Sequence, residues 1–361
     1  MALLDRILWR LVAAMFALGN FGLLVVGVPA RAQSFGPRIS PDCHLTKQAE
    51  VPIEYFQRHY VTTVSLNGHR VRMMIDTGAS KSALLFDEID ALHLPHDRHQ
   101  SITVNGLGGK LDAQHPVLIN SIKVGDLEWL DVTVTGLAAT SMGTGEAPVG
   151  LLGADILSQY DVEFDFPKGT MTFWSVAGCG DRFVPWQGRF SEFHPQRTGH
   201  NAFVIPVTIN GHQLQALLDT GSDATSVTYS AALAAGVTPD AIELDRAGTR
   251  KGARGVALTS HVHRFDSMSI GPMTFRNAGL VVVDDAQGDF DMLLGIDFMR
   301  WRKVWFSYAT NQVFMQWMSP PSPPGGISAG GAFLTTPASP DAANGRAGRG
   351  QYGTLRRPHC A

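Results

Sequence analysis

The sequence Asp76-Thr77-Gly78-Ala79-Ser80 returns as Asp219-Thr220-Gly221-Ser222-Asp223, each time directly after a largely apolar run, Val71 to Ile75 and Leu214 to Leu218. An apolar run that ends in an acid and a glycine reads as a buried strand delivering a carboxylate to a tight turn. The repeat is longer than these five residues, because Tyr60 to Asp76 aligns with Phe203 to Asp219 without a gap at an offset of 143. Further on, Leu151-Leu152-Gly153-Ala154-Asp155 returns as Leu293-Leu294-Gly295-Ile296-Asp297 at an offset of 142. Motifs recurring in one order at one spacing predict two copies of a single domain in tandem, too few for a solenoid.

Inside each copy the signals are those of short strands. Asn67-Gly68 and Asn210-Gly211, flanked by alternating apolar residues, predict two-residue hairpin turns in which both central positions need positive φ. Val132 to Val134 and Leu280 to Val283 read as further strands, and Val162 to Trp174 and Val304 to Trp317 as hairpins closing each copy. Helix is expected only near Ser82 to Leu92, near Ser230 to Ala235 before Gly236, and in short turns after Asp155 and Asp297. The expected fold class is therefore all-β, in two lobes: residues 51–176 and 200–318, joined by a Gly- and Pro-bearing linker at 177–199.

The ends of the chain carry different signals. Arg6 and Arg10, an apolar run from Leu11 to Val28 and the small-x-small site Ala30-Arg31-Ala32 read as a signal peptide over residues 1–32, followed by a leader at 33–50. The alternative is an uncleaved membrane anchor, since about 18 apolar residues can just span a bilayer. Cleavage predicts an exported, periplasmic or secreted protein without stable membrane insertion. Residues 319–361, rich in proline, glycine and alanine, read as a disordered tail. The formal net charge of −3 becomes −5 without residues 1–32, which excludes nucleic acid as an expected partner. Cys43, Cys179 and Cys360 form no CxxC pair; in an exported protein Cys43 and Cys179 are candidates for a bridge from leader to linker.

On the paired Asp-Thr-Gly and apolar-apolar-Gly motifs, the chain resembles a tandem, single-chain member of the retropepsin-like aspartic proteases found among bacterial exported proteins. The resemblance runs from about Tyr60 to Met318 and implies that Asp76 and Asp219 meet at the lobe interface as a catalytic pair. Retroviral relatives obtain their second aspartate from a second chain, whereas this chain contains both. Two adjacent carboxylates share one proton, a coupling for which the aspartic proteases themselves are the standard case. One member then serves as base and the other as acid in water attack on a peptide bond. The family pattern gives Thr77 and Thr220 the task of bonding across the interface. It gives Gly78 and Gly221 that of turning backbone amides toward the carboxylates, with Ser80 and Ser222 as further dyad support. Because Ser222 stands where the first copy has Ala79, its hydroxyl is expected to donate to Asp219 and make it the better-stabilised anion.

The resemblance further places a substrate-covering flap at Gly106, Gly108 and Gly109 and, 146 residues after Gly106, at Gly252 and Gly255. The expected function is thus an aspartic endopeptidase, monomeric, acting on protein or peptide substrates without cofactor or metal. A catalytically silent two-lobed peptide-binding or scaffolding protein is the alternative from another class, and a homodimer pairing like lobes is a second enzymatic one. His93, His96 and His99 invite a metal site, but Pro95 interrupts their spacing and a solvated loop is expected instead. Asp155 and Asp297 are expected to cap short helices, and Trp174, Trp301, Trp305 and Trp317 to pack.

Overall fold

The computed structural model describes residues 40–318 except 103–104, 107–108, 111–113, 138–141, 145, 252–256 and 285–289. The predicted signal peptide, the tail at 319–361, Cys360 and the flap glycines Gly108, Gly252 and Gly255 lie outside the described residues. The strands of the first half are β1 (His44–Pro52), β2 (Glu54–Phe56), β3 (His59–Leu66), β4 (His69–Ile75), β5 (Ala83–Leu85), β6 (Asn105–Gly106), β7 (Gly109–Lys110), β8 (Val117–Val124), β9 (Leu127–Leu137), β10 (Gly150–Leu152), β11 (Asp161–Asp165) and β12 (Thr170–Ala177). Those of the connection are β13 (Ser191–Phe193) and β14 (Gln196–Arg197). The second half supplies β15 (Phe203–Ile209), β16 (His212–Leu218), β17 (Ser226–Thr228), β18 (Arg246–Lys251), β19 (Ala257–Ile270), β20 (Met273–Val283), β21 (Met292–Leu294), β22 (Arg302–Ser307) and β23 (Gln312–Trp317).

Each lobe builds one sheet on the same plan. The first runs β2-β3-β4-β10-β5-β9-β8 and the second β14-β15-β16-β21-β17-β20-β19-β18, with β3–β8 and β15–β19 pairings curling each sheet back on itself. The hairpins β3–β4 and β15–β16 turn at Asn67 (φ 48°) and Gly68 (φ 90°), and at Asn210 (φ 49°) and Gly211 (φ 85°), the left-handed pairs that match strand twist. Alternate side chains such as Val64, Leu66, Met73 and Ile75, or Val207, Ile209, Leu214 and Leu218, are buried inside the curl. Helices are short: α1 (Phe86–Ala91), α2 (Ala154–Leu157), α3 (Tyr229–Ala234), α4 (Pro239–Glu243) and α5 (Ile296–Met299). Of these, α4 falls outside the helices expected from the sequence; Thr238 caps it by accepting from the Ala241 N–H, and Pro239 opens it.

A third sheet, ordered β1-β12-β11-β22-β23-β13, joins the lobes. Its centre is the antiparallel pair β11–β22, with Val162 opposite Phe306, so one hairpin from each lobe meets edge to edge. Residues 44–50 are therefore not a separate leader: β1 pairs with β12 from His44 opposite Ala177 to Pro52 opposite Thr170. Beneath this sheet Trp305 is fully buried, stacks on Trp174 at 5.3 Å and donates to Asp161 Oδ2 at 2.9 Å. That burial gives these tryptophans a packing role, with the indole N–H satisfied.

Cys43 and Cys179 form a disulfide that ties the start of β1 to the segment after β12. Breaking it by a Cys43→Ser, Cys179→Ala double substitution is expected to lower stability by about 4 kcal/mol, toward the high end for such bonds because the bridge closes a loop with a sequence separation of 136 in the unfolded chain. Urea unfolding of the two forms measures the difference, and an unchanged midpoint would show that the ladder alone holds β1.

Candidate active site

The two aspartates leave parallel scaffolds. Strand β10 lies parallel to β4, with Leu152 opposite Ile75, and β21 lies parallel to β16, with Leu294 opposite Leu218. The Asp76 N–H donates to Leu152 O and the Asp219 N–H to Leu294 O, both at 3.0 Å. One residue later, Gly153 and Gly295 pass under the turns so closely that a Cβ would stand 2.6 Å from the carbonyl carbon of Lys81 or Ala224. Then the Ala154 N–H donates to Ala79 O and the Ile296 N–H to Ser222 O, each at 2.8 Å. The apolar-apolar-Gly strand thus holds its loop at both ends by backbone bonds, and only glycine fits between.

Across the interface the threonines bond reciprocally. The Thr77 N–H donates to Thr220 Oγ1 at 3.0 Å and the Thr77 hydroxyl to Leu218 O at 2.9 Å; the Thr220 N–H donates to Thr77 Oγ1 at 3.0 Å and its hydroxyl to Ile75 O at 2.8 Å. Both threonines are buried. This lattice brings each glycine against the opposite lobe's acid: a Cβ on Gly78 would stand 2.6 Å from Asp219 Cγ, and one on Gly221 would collide with the Asp76 carboxyl. The two carboxyl groups are thereby set side by side at the lobe interface.

The pair is electrostatically unequal. Burial raises Asp76 above the usual carboxylate range, opposed by the Ala79 N–H, the Asp219 carboxyl and the Gly78 N–H, which all favour its anion. Asp219 is pushed up much further, by burial and then by the charge on Asp76, with the Gly221 N–H as its main support. Asp76 Oδ1 accepts from two backbone N–H groups, Gly78 at 3.0 Å and Ala79 at 2.9 Å, whereas Asp219 Oδ1 accepts from one, that of Gly221, at 2.8 Å, so the donors favour the anion on Asp76 and the Ser222 hydroxyl adds none to Asp219. The reason is local: the Ser222 hydroxyl donates to Ala224 O at 2.9 Å, closing a turn, and does not reach the carboxyl. Ser222→Ala is accordingly expected to leave the acid limb of a pH–rate profile in place, and a displaced limb would show that the hydroxyl supports the dyad after all.

Asp155 and Asp297 sit in the first turns of their helices, just inside the N-cap positions Gly153 and Gly295, and each satisfies a first-turn donor: Asp155 Oδ1 accepts from the Ile156 N–H at 3.0 Å and Asp297 Oδ1 from the Phe298 N–H at 2.8 Å. The same oxygens reach further: Asp155 Oδ1 accepts from the Ser82 N–H at 2.9 Å and the Ser82 hydroxyl at 2.7 Å, and Asp297 Oδ1 accepts likewise from Thr225 at 2.8 and 2.7 Å. The Ser82 and Thr225 hydroxyls also accept from the Gly153 and Gly295 N–H groups. Each acid therefore fastens the far end of its Asp-Thr-Gly loop to the strand beneath. Extending the repeat by six residues past each Asp exposes the Ser82 and Thr225 match, the one sequence signal for this role.

Of the flap residues, Gly106 and Gly109 face each other in the β6–β7 hairpin, and in the second lobe Lys251 faces Ala257 where β18 pairs with β19. Three further residues near the dyad are not singled out by the sequence. His59 opens β3 within electrostatic reach of Asp76 and Asp223, and burial pushes its pKa down. Arg58 pairs with Asp223 at 3.0 Å, and Arg250 on β18 pairs with the other oxygen of the same carboxylate. No group of three or more metal-ligating side chains occurs among the described residues.

Comparison with known proteins gives two domain matches, one per lobe. Residues 62–159 match the gag-polyprotein putative aspartyl protease family and residues 205–298 match an aspartyl protease family. The first match includes Asp76 and Gly153, and the second Asp219 and Gly295. A Sinorhizobium protein described as an uncharacterized protein in the cobV 5′ region is 30% identical over 105 residues, which is 29% of this chain and 42% of that protein. The crystal structure of the aspartic proteinase from Irpex lacteus superposes with a TM-score of 0.48 at 14% identity, covering 75% of this chain and 98% of the other.

Proposed function

We propose that this chain, which carries two retropepsin-like aspartyl protease lobes in tandem, is an endopeptidase that hydrolyses peptide bonds with water activated between Asp76 and Asp219. The observation that carries the reading is the buried carboxyl pair at the lobe interface, where Asp76 accepts from the Gly78 and Ala79 N–H groups, Asp219 accepts from the Gly221 N–H, and burial pushes both acids up. The Asp76 carboxylate takes a proton from water as the oxygen attacks the carbonyl carbon, while Asp219 gives its proton to the carbonyl oxygen. Collapse of the resulting diol returns a proton to Asp219 and passes the Asp76 proton to the leaving nitrogen, restoring the starting pair.

Protein or peptide is the proposed substrate, and one chain the proposed active unit. The Cys43–Cys179 bond supports placement in an oxidising compartment outside the cytoplasm; no helix among the described residues is long and apolar enough to cross a membrane. Digestion of a peptide library from acidic to neutral pH in 18O-enriched water tests the chemistry. Direct attack by water places the label in each new carboxyl terminus, with no product trapped by added hydroxylamine. A folded chain that cuts nothing at any pH would replace this reading with that of a peptide-binding protein.

A further inference from the structure

The two lobes are copies, so the places where they differ around the dyad are informative. Asp223 of the second loop corresponds, at the repeat offset of 143, to Ser80 of the first, and Arg58 and His59 correspond to Asn201 and Ala202. At these matched positions one end carries Arg58, His59 and Asp223 and the other Asn201, Ala202 and Ser80, where Arg197 donates to Asn201 Oδ1 at 2.6 Å. Arg58 comes from the β2–β3 turn of the first lobe, at φ 77°, and Asp223 and Arg250 come from the second. Two guanidinium groups share one carboxylate, which leaves this end net positive.

The geometry assigns Arg58 a ligand of its own. Asp223 Oδ2 accepts from Arg58 Nε, the atom at the side of the guanidinium, so the two terminal nitrogens have no partner among the described residues and the side chain is 62% exposed. Arg250 occupies the second oxygen and fixes the half-buried carboxylate in place. A guanidinium held by its Nε presents a planar fork that matches a carboxylate in a bidentate fashion. We infer that a substrate side chain lying at the Arg58 end of the dyad is acidic, bound by the Arg58 terminal nitrogens, with Asp223 and Arg250 as positioning residues. The inference rests on the peptidase reading for its substrate, but its recognition step does not require cleavage.

The test measures kcat/KM for peptide pairs differing only by Glu against Gln at each position flanking the cut. A preference of about tenfold for Glu is expected at one position on one side only, the size of a hydrogen-bonded charge pair. It should weaken as salt is raised. Arg58→Gln should abolish the ratio and Arg58→Glu should turn it toward Lys, which a merely structural Arg58 would not do. Binding of the same peptides to Asp219→Asn, followed by fluorescence polarisation at neutral pH, reads the preference without catalysis. Cleavage or binding with no Glu preference, or a preference untouched by Arg58→Glu, overturns the inference and leaves the peptidase reading standing; selective binding without any cleavage does the opposite.

Discussion

Replacing Asp76 or Asp219 with asparagine is expected to lower kcat/KM for any cleaved peptide by about 10³-fold or more, because each substitution removes one half of the proton exchange. Loss in only one variant would mean that the partner carboxyl is dispensable and that the dyad is not the catalytic unit. The same variants carry an opposite effect on stability, which separates lost chemistry from lost structure. Both carboxyls titrate above their ordinary value in the folded chain, Asp219 most of all. Their contribution to stability is therefore fully present below the ordinary value of 3.8 and is lost as pH rises through the higher folded values. Asparagine mimics the protonated acid at every pH. Asp219→Asn should thus match the wild type in urea at low pH and exceed it near neutrality; a variant less stable at both would indicate that the amide has broken the loop lattice.

Thr220→Val is expected to cost roughly 2–4 kcal/mol and most of the activity. The valine keeps the shape of the side chain but deprives the buried Thr77 N–H of its acceptor and Ile75 O of its donor, and each orphaned group carries a desolvation penalty of about 1–3 kcal/mol. Because these bonds set the distance between the loops, catalysis should fall further than the unfolded fraction accounts for. Thr220→Ser, which preserves both bonds, should recover most of each. Equal behaviour of valine and serine in thermal melts would show that the methyl packing, and not the hydroxyl, holds the interface.

How much of this is legible in the sequence follows from the range of each interaction. The hairpins at Asn67 and Asn210 and the strand-to-turn delivery of the two aspartates are local, and local chemistry plus the repeat suffices for them. The Ser222 hydroxyl goes elsewhere than its position in the repeat implies, because the turn to Ala224 is decided by backbone geometry that the residue type does not specify. Strand β1 escapes a reading by composition for a different reason. It is an edge strand with exposed His44, Thr46, Lys47 and Glu50, so its sequence resembles a tether even though one side of its backbone pairs with β12 from His44 to Pro52. The Arg58–Asp223–Arg250 group joins three segments separated by 165 and 27 residues, and nothing short of the folded chain brings them together.

The threonine lattice and the β11–β22 pairing join two halves of one polypeptide, and this fixes how the site responds to dilution. A site completed by a second molecule is lost as protein concentration falls below the dissociation constant of the pair, and its output drops with the square of concentration. Here the partner loop is always present at the effective concentration set by the chain itself. Output per molecule should stay constant down to the lowest level at which it can be assayed, so a single copy released into a large volume carries a complete dyad.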